Sequence, residues 1–254
     1  MAGEGKRFVE KGFTTPKPLI LLDDIPMFSL VLCNLDSVFV KQITLVTQAK
    51  WNLNKYISKF PKKIRDKIQL IEIDYLTLGP AESVLLAEGK SSLDEIVVIA
   101  NSDQYIDCDV DEFYLKLQHD SQISGSIITM KDTSPKWSYV STDEHGFIDM
   151  VKEKQVISDI ATVGIYGFKK AKDCFESIKE MRDNLDYVNN ELYVAPSFNY
   201  LIKKGQKIME HNLGPVATIM HGMGIPEDLE KFQDSIVYKK VIQQTKRWLE
   251  IEKN

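Results

Sequence analysis

Apolar positions along this chain follow two alternating rhythms. Runs rich in β-branched residues predict strands: Ile43-Thr44-Leu45-Val46-Thr47, Gln69-Leu70-Ile71-Glu72-Ile73 and Glu95-Ile96-Val97-Val98-Ile99-Ala100. The third is a continuous apolar run and the strongest of the set. Between them, residues 27–36, 49–58 and 80–88 carry the spacing of amphipathic helices. A β–α–β–α–β order implies an α/β fold with a mainly parallel, mixed sheet flanked by helices on both faces.

The rhythm changes near residue 120. Ser126–Met130 predicts a strand, and Trp137–Ser141 and Phe147–Val151 predict a pair around the turn Asp143-Glu144-His145-Gly146. Ala161–Phe168 predicts a further strand. Helices are expected over 169–183 and over 190–204, the second closed by Gly205. A short strand is expected over Val216–Met220. Pro226 occupies the first position of a C-terminal helix that runs to about Glu252 with a break near Gln233. With no repeat and no low-complexity linker, the chain reads as one domain of two halves, 1–120 and 121–254.

Composition narrows the function classes. The 254 residues carry a formal net charge of -5, so duplex nucleic acid is not an expected partner. No apolar run approaches the roughly 18 residues of a membrane span, and the first residues carry no apolar signal segment. Cys33, Cys108 and Cys174 form no CxxC pair, which argues against a disulfide framework or a zinc site and for buried thiols. A cytoplasmic location fits these features. Oligomeric state is open, a homo-oligomer included.

Chemistry enters with Gly3-Glu4-Gly5-Lys6-Arg7-Phe8, followed by Pro16-Lys17-Pro18-Leu19. Closely spaced glycines let backbone N–H groups approach a phosphate, and Arg7 and Lys17 add cationic donors. In this pairing the chain resembles the sugar-phosphate nucleotidylyltransferases (pyrophosphorylases), which share the nucleotide-diphospho-sugar transferase, or GT-A, fold. It resembles most a branch found in bacterial capsule loci, with the pattern MAGxGxRF then PKPL. The resemblance implies an enzyme that joins an NTP to a phosphorylated sugar and releases pyrophosphate, with Gly3 and Gly5 wrapping the triphosphate and Arg7 and Lys17 neutralising it. It makes residues 1–120 the nucleotide-binding half and 121–254 the acceptor-binding half.

Further family roles fall on matching positions. In Thr77-Leu78-Gly79-Pro80, Thr77 and Gly79 are candidates to face the base and ribose. Asp103, in Asn101-Ser102-Asp103-Gln104, follows the strongest predicted strand and is the candidate ligand for Mg²⁺, a hard cation that takes oxygen donors. Glu153 and Lys154 resemble the family's EK segment, implying contact with sugar hydroxyls and with phosphate. Gly164 would leave space for the acceptor. Glu191, in Asn189-Asn190-Glu191-Leu192-Tyr193, is a sugar-site candidate at the opening of a helix.

Two departures stand out. Gly222 occupies the position where many relatives carry a second metal-binding Asp, leaving Asp103, phosphates and water as the expected shell. The chain also begins at the glycine motif itself, without the apolar strand that precedes it in the family, so a gap is expected between the strands at 43–47 and 95–100. Rival readings are a GT-A glycosyltransferase, disfavoured because Asp103-Gln104-Tyr105 lacks a DxD motif, and a non-catalytic nucleotide-sugar-binding protein.

Overall fold

A computed structural model describes Gly3, residues 5–215 and residues 219–250. The first elements are α1 (Lys6–Glu10), a 3-10 turn over Lys17–Leu19, β1 (Leu21–Leu22), β2 (Ile25–Pro26) and α2 (Met27–Leu35). Then come β3 (Ile43–Gln48), a 3-10 turn over Ala49–Trp51, α3 (Asn54–Ile57), α4 (Lys62–Arg65) and β4 (Ile68–Ile73). The middle of the chain forms α5 (Pro80–Leu85), β5 (Val97–Ala100), β6 (Gln104–Ile106), α6 (Val110–His119) and β7 (Gly125–Lys131). β8 (Ser138–Thr142), β9 (Ile148–Glu153), β10 (Ile160–Phe168), α7 (Ala171–Asp183) and α8 (Phe198–Lys203) follow. The last elements are β11 (Ile208–Pro215), β12 (Met220–Gly222), α9 (Pro226–Gln233) and α10 (Tyr238–Trp248).

The chain divides into two compact units that interleave in sequence. The first comprises residues 1–76, 102–110 and 218–254, the second residues 77–101 and 111–217. The change of rhythm near residue 120 does not coincide with this division, because periodicity reports local structure and not the points where the chain crosses from one unit to the other.

In the first unit, β3 and β4 pair in parallel and β6 pairs antiparallel with β12. The core joins α2, through Phe28 and Leu32, to Phe232 of α9 and Val241 and Ile242 of α10. Asn34 clamps β6 to α2: its side chain donates to the Ile106 carbonyl and accepts from the Ile106 N–H, both at 2.8 Å. Paired bonds of this kind fix the strand that follows Asp103.

In the second unit a six-stranded sheet runs β11-β7-β10-β8-β9, with β5 also on β10. Only β11 and β7 are parallel there. The α/β class and the mixed sheet are those the sequence predicts, but the parallel share is smaller, because β7 to β10 are linked by short connections that favour antiparallel pairing. The core of this unit centres on Phe168 and Phe198, stacked at 4.2 Å. β10 carries a bulge between Thr162 and Tyr166, where Gly164 has φ +77°.

Several predicted elements are altered. The helix expected over 49–58 is split into the 3-10 turn and α3, because Asn52 adopts a left-handed φ of 48°. The helix expected over 190–204 starts later. Asn189 and Asn190 both have positive φ, 51° and 61°, and form a two-residue turn in which Val188 and Glu191 exchange backbone hydrogen bonds. Asn tolerates that conformation, and the paired positive φ values suit a tight reversal, not a helix start. β11 was not predicted. Of the strand expected over 216–220, residues 216–218 lie outside the described residues and Met220 opens β12. Among the described residues β3 pairs with β4 and β5 with β10. Cys174 is buried, whereas Cys33 and Cys108 are only half-buried.

Candidate active site

The glycine motif and the Pro-Lys-Pro segment form one wall of the first unit. Met1, Ala2 and Glu4 lie outside the described residues, and Gly3 is an exposed bend. Gly5 precedes α1 with φ 65° and ψ 37°. A Cβ there would stand 3.3 Å from Lys17 Cβ, so the left-handed backbone and the close approach both favour glycine. Phe8 anchors α1 through its buried ring, edge-on to Phe13 at 5.1 Å. Arg7 is exposed on the same helix.

Lys17 and Asp103 are brought together from 86 residues apart. Lys17 Nζ donates to Asp103 Oδ2 at 2.6 Å, with the two side chains only 20% and 25% exposed. Burial alone would push the Asp103 carboxyl up, but the charge and hydrogen bond of Lys17 outweigh it and hold it below its usual value. Asp103 is itself fixed by backbone, its carbonyl accepting from Met223 N–H at 2.7 Å as an extension of the β6–β12 ladder.

That ladder also sets what a metal could meet. A Cβ on Gly224 would lie 2.9 Å from Asp103 Oδ2. Gly222 faces Asp228, whose Oδ2 is 3.5 Å from where a Cβ would begin. Asp228, in the first turn of α9, is thus the carboxylate nearest the position of the family's second Asp, and only the contact across the chain reveals it. No group of three or more His, Cys, Asp or Glu residues suited to a metal occurs among the described residues. The donor set is one half-buried carboxylate near the Gly5 turn, a set that would fit Mg²⁺ held together with substrate phosphates and not by a protein cage. His221 belongs to an aromatic cluster with Tyr105 and Phe232, at 6.2 and 5.4 Å, a structural setting.

Other predicted residues lie in the second unit. Glu153, at the end of β9, accepts a hydrogen bond from Ser138 Oγ. Burial pushes its carboxyl above the ordinary range; Ser138 and Lys154 oppose this and Glu191 adds to it. Lys154 has a left-handed φ of 53°, a strained setting for a residue with a Cβ. Its ammonium donates to the Tyr193 hydroxyl and lies 4.4 Å from the Tyr193 ring centroid, while its backbone N–H donates to the Trp137 carbonyl at 2.9 Å. Tyr193 was not singled out in the sequence, although it closes the motif that carries Glu191. Glu191 is exposed at the Asn189-Asn190 turn. The Gly164 carbonyl accepts from Asn101 N–H at 2.9 Å, so the bulge in β10 meets the end of β5.

Gly79, with φ 137°, lies against the backbone of Leu192: an added Cβ would stand 2.6 Å from both Leu192 N and O. Leu192 N–H donates to the Leu78 carbonyl at 2.7 Å, and its own carbonyl accepts from Ala81 N–H at 2.9 Å. The glycine is therefore required by the chain's own packing. Thr77 is bonded to Ser83, hydroxyl to hydroxyl, at 2.8 Å.

A family model described as nucleotidyl transferase matches residues 1–210. The chain belongs to the nucleotidyl transferase family. Among solved structures it is similar to the nucleoside-diphosphate-sugar pyrophosphorylase from Vibrio cholerae RC9. Identity is 20% and the TM-score 0.74, over 92% of this chain and 98% of the other. It is similar to UDP-glucose pyrophosphorylase complexed with UDP-glucose, at 18% identity and a TM-score of 0.74, over 94% and 96% of the two chains. The inositol-1-phosphate CTP transferase from T. maritima gives 15% identity and a TM-score of 0.72, over 96% and 93%. No curated protein matches by sequence. These likenesses establish the fold, and the family match establishes a nucleotidyltransferase. No helix among the described residues is long and apolar enough to cross a membrane.

Proposed function

We propose that this nucleotidyltransferase joins an NTP to a phosphorylated sugar, or a similar small phosphate, and releases pyrophosphate. The observation that carries the reading is the half-buried Lys17–Asp103 pair beside Gly5. A cation and a hard-oxygen carboxylate held together beside a close-approach glycine suit a metal-bound polyphosphate. The described neighbours, two sugar-nucleotide pyrophosphorylases and an inositol-1-phosphate CTP transferase, support a phosphorylated acceptor.

A phosphate oxygen of the acceptor attacks the α-phosphorus, a new P–O bond forms, and the bond from the α-phosphorus to the bridging oxygen breaks. The electron pair leaves with pyrophosphate. The nucleophile is already ionised near neutral pH, so no general base is required and the protein supplies position and charge. Mg²⁺, held through Asp103, would neutralise phosphate charge when bound. Lys17 and Arg7 face the polyphosphate, with Gly3 and Gly5 giving the backbone close access. Glu153 orients acceptor hydroxyls, Lys154 takes the acceptor phosphate, and Glu191 and Gly164 border it. Thr77 and Gly79 line the base side. The product would serve as an activated precursor for capsule or surface polysaccharide made in the cytoplasm.

The test is a matrix of the four NTPs and dTTP against sugar-1-phosphates and inositol phosphates, scored by pyrophosphate release with and without Mg²⁺. Release with one pairing supports the reading. Nucleotide binding with no release from any pairing would refute it and favour the non-catalytic alternative that Gly222 raises.

A further inference from the structure

The two carboxylate oxygens of Glu153 differ in their surroundings. Oε2 accepts from Ser138 Oγ. No donor reaches Oε1 among the described residues, and Oε1 is not among their buried unpaired atoms. One oxygen is tied to the protein and the other is open to a ligand. The proposed mechanism does not use Ser138, yet the sheet holds this serine firmly. Ser138 and Glu153 are direct partners in the antiparallel β8–β9 register, so their side chains stand on one face. Beside Ser138, Tyr139 is fully buried and its hydroxyl donates to the Ser134 carbonyl at 2.7 Å, while Trp137 Nε1 donates to Asp132 at 2.9 Å. On β9, the Asn199 side chain accepts from Val151 N–H at 2.9 Å and donates to the Val151 carbonyl at 2.8 Å. Both strands are fixed within two residues of the pair.

Buried hydroxyls back this pair. Ser138, Thr162 and Tyr166 are all buried. The Thr162 and Tyr166 hydroxyls lie 3.1 Å apart, spanning the β10 bulge at Gly164. Burial pushes the Tyr166 hydroxyl up to about 12; the Glu153 charge adds to this, and hydrogen bonds with Thr162 and Ser138 oppose it. Tyr166 therefore keeps its proton near neutral pH, and Ser138 directs its own proton to the charged acceptor, Glu153. Fixing a long carboxylate side chain costs rotamer freedom. A hydrogen bond from Ser138 meets that cost before any ligand arrives.

We propose that Ser138 is a positioning residue for the acceptor: it fixes the Glu153 carboxylate so that Oε1 alone is offered to a hydroxyl of the phosphorylated sugar. A carboxylate with both oxygens open suits two neighbouring hydroxyls; with Oε2 held, it suits one. The identity of the ligand rests on the function proposed above; the fixed carboxylate does not.

The test compares the full chain with Ser138→Ala and with Ser141→Ala. The second removes a like serine–carboxylate pair, Ser141 with Asp149, elsewhere on the same β8–β9 ladder. The first readout is the pH titration of the Glu153 carboxyl, followed by NMR without substrate. The groups that bear on that carboxyl, Lys154, Glu191 and Tyr166, are unchanged in both variants. Ser138→Ala should move the Glu153 midpoint up, because the lost hydrogen bond favours the charged form, and Ser141→Ala should leave it in place. The second readout is pyrophosphate release with the sugar 1-phosphate that the parent uses best. Ser138→Ala should raise the acceptor KM about tenfold with kcat within about twofold, and Ser141→Ala should match the parent. An unmoved Glu153 midpoint in Ser138→Ala, or an acceptor KM no higher than that of Ser141→Ala, would overturn the proposal. A parent that releases no pyrophosphate with any acceptor would refute the proposed function, and the Glu153 midpoint would still support or overturn the fixed carboxylate.

Discussion

Replacing Lys17 by Met keeps the apolar stem and removes the ammonium from Asp103. At the observed 2.6 Å, and with an effective dielectric of about 20, the gross attraction is about 6 kcal/mol. Desolvation of two largely buried groups offsets much of it. Removing one partner still leaves a buried carboxylate without its cation, a change that costs about 3 kcal/mol. For a chain of this size that corresponds to a fall of roughly 6–12 °C in melting temperature. Lys17, proposed above as a cation for the polyphosphate, should therefore also support the fold. The assay is urea denaturation of the parent, Lys17→Met, Asp103→Asn and the double variant. The double variant should be more stable than Lys17→Met, since the uncompensated charge is gone. Single effects that add to within about 0.5 kcal/mol would refute the coupling. Turnover is read separately: Lys17→Met should lose about 10²–10³ in rate, the cost of one electrostatic donor in the transition state.

Asp103→Asn should remain folded while losing the dependence of pyrophosphate release on Mg²⁺; a variant with the parent's metal dependence would remove Asp103 from the metal site. Gly79→Ala should destabilise by about 3 kcal/mol, because its Cβ meets the Leu192 backbone, and an unchanged denaturation midpoint would show that the segment yields freely. Glu153 has a folded pKa above its ordinary 4.5, so its contribution to stability is complete at low pH and is lost as pH rises through the folded value. Glu153→Gln should therefore gain stability over the parent at about pH 7 and lose that gain at about pH 4, while acceptor turnover falls; a pH-independent difference would refute the burial argument. Tyr193→Phe keeps the ring under Lys154 but removes the hydroxyl, and should raise the acceptor KM about tenfold with a smaller change in kcat. Unchanged KM would place Tyr193 outside the site.

Strands and helices whose apolar rhythm is intrinsic were legible in the sequence: β3, β4, β5, β10, α2, α7 and the start of α9 at Pro226. What was not legible depends on backbone sign and on distant partners. Asn189 and Asn190 look like a helix opening until both are seen with positive φ, and Asn52 breaks a helix for the same reason. The family resemblance singled out Lys17, Asp103, Glu153 and Lys154 as candidates, but not the bonds they make within the protein. Lys17 and Asp103 neutralise each other across 86 positions, and Lys154 is held by a tyrosine 39 positions on. Gly79 carried a signal of constraint, but its source is the carbonyl and N–H of Leu192.

The interleaving of the two units has a consequence for how the molecule is made. Phe28 and Leu32 of α2 share a core with Phe232 and Val241, so the first unit cannot be closed until α9 and α10 have been synthesised. Residues 77–101 and 111–217 of the second unit are complete before that point. On a ribosome, where chains emerge from the N-terminus, the segment bearing Lys17 waits unprotected while a later unit folds. Lys17 is translated well before α9 and α10, the helices that complete the core of its unit.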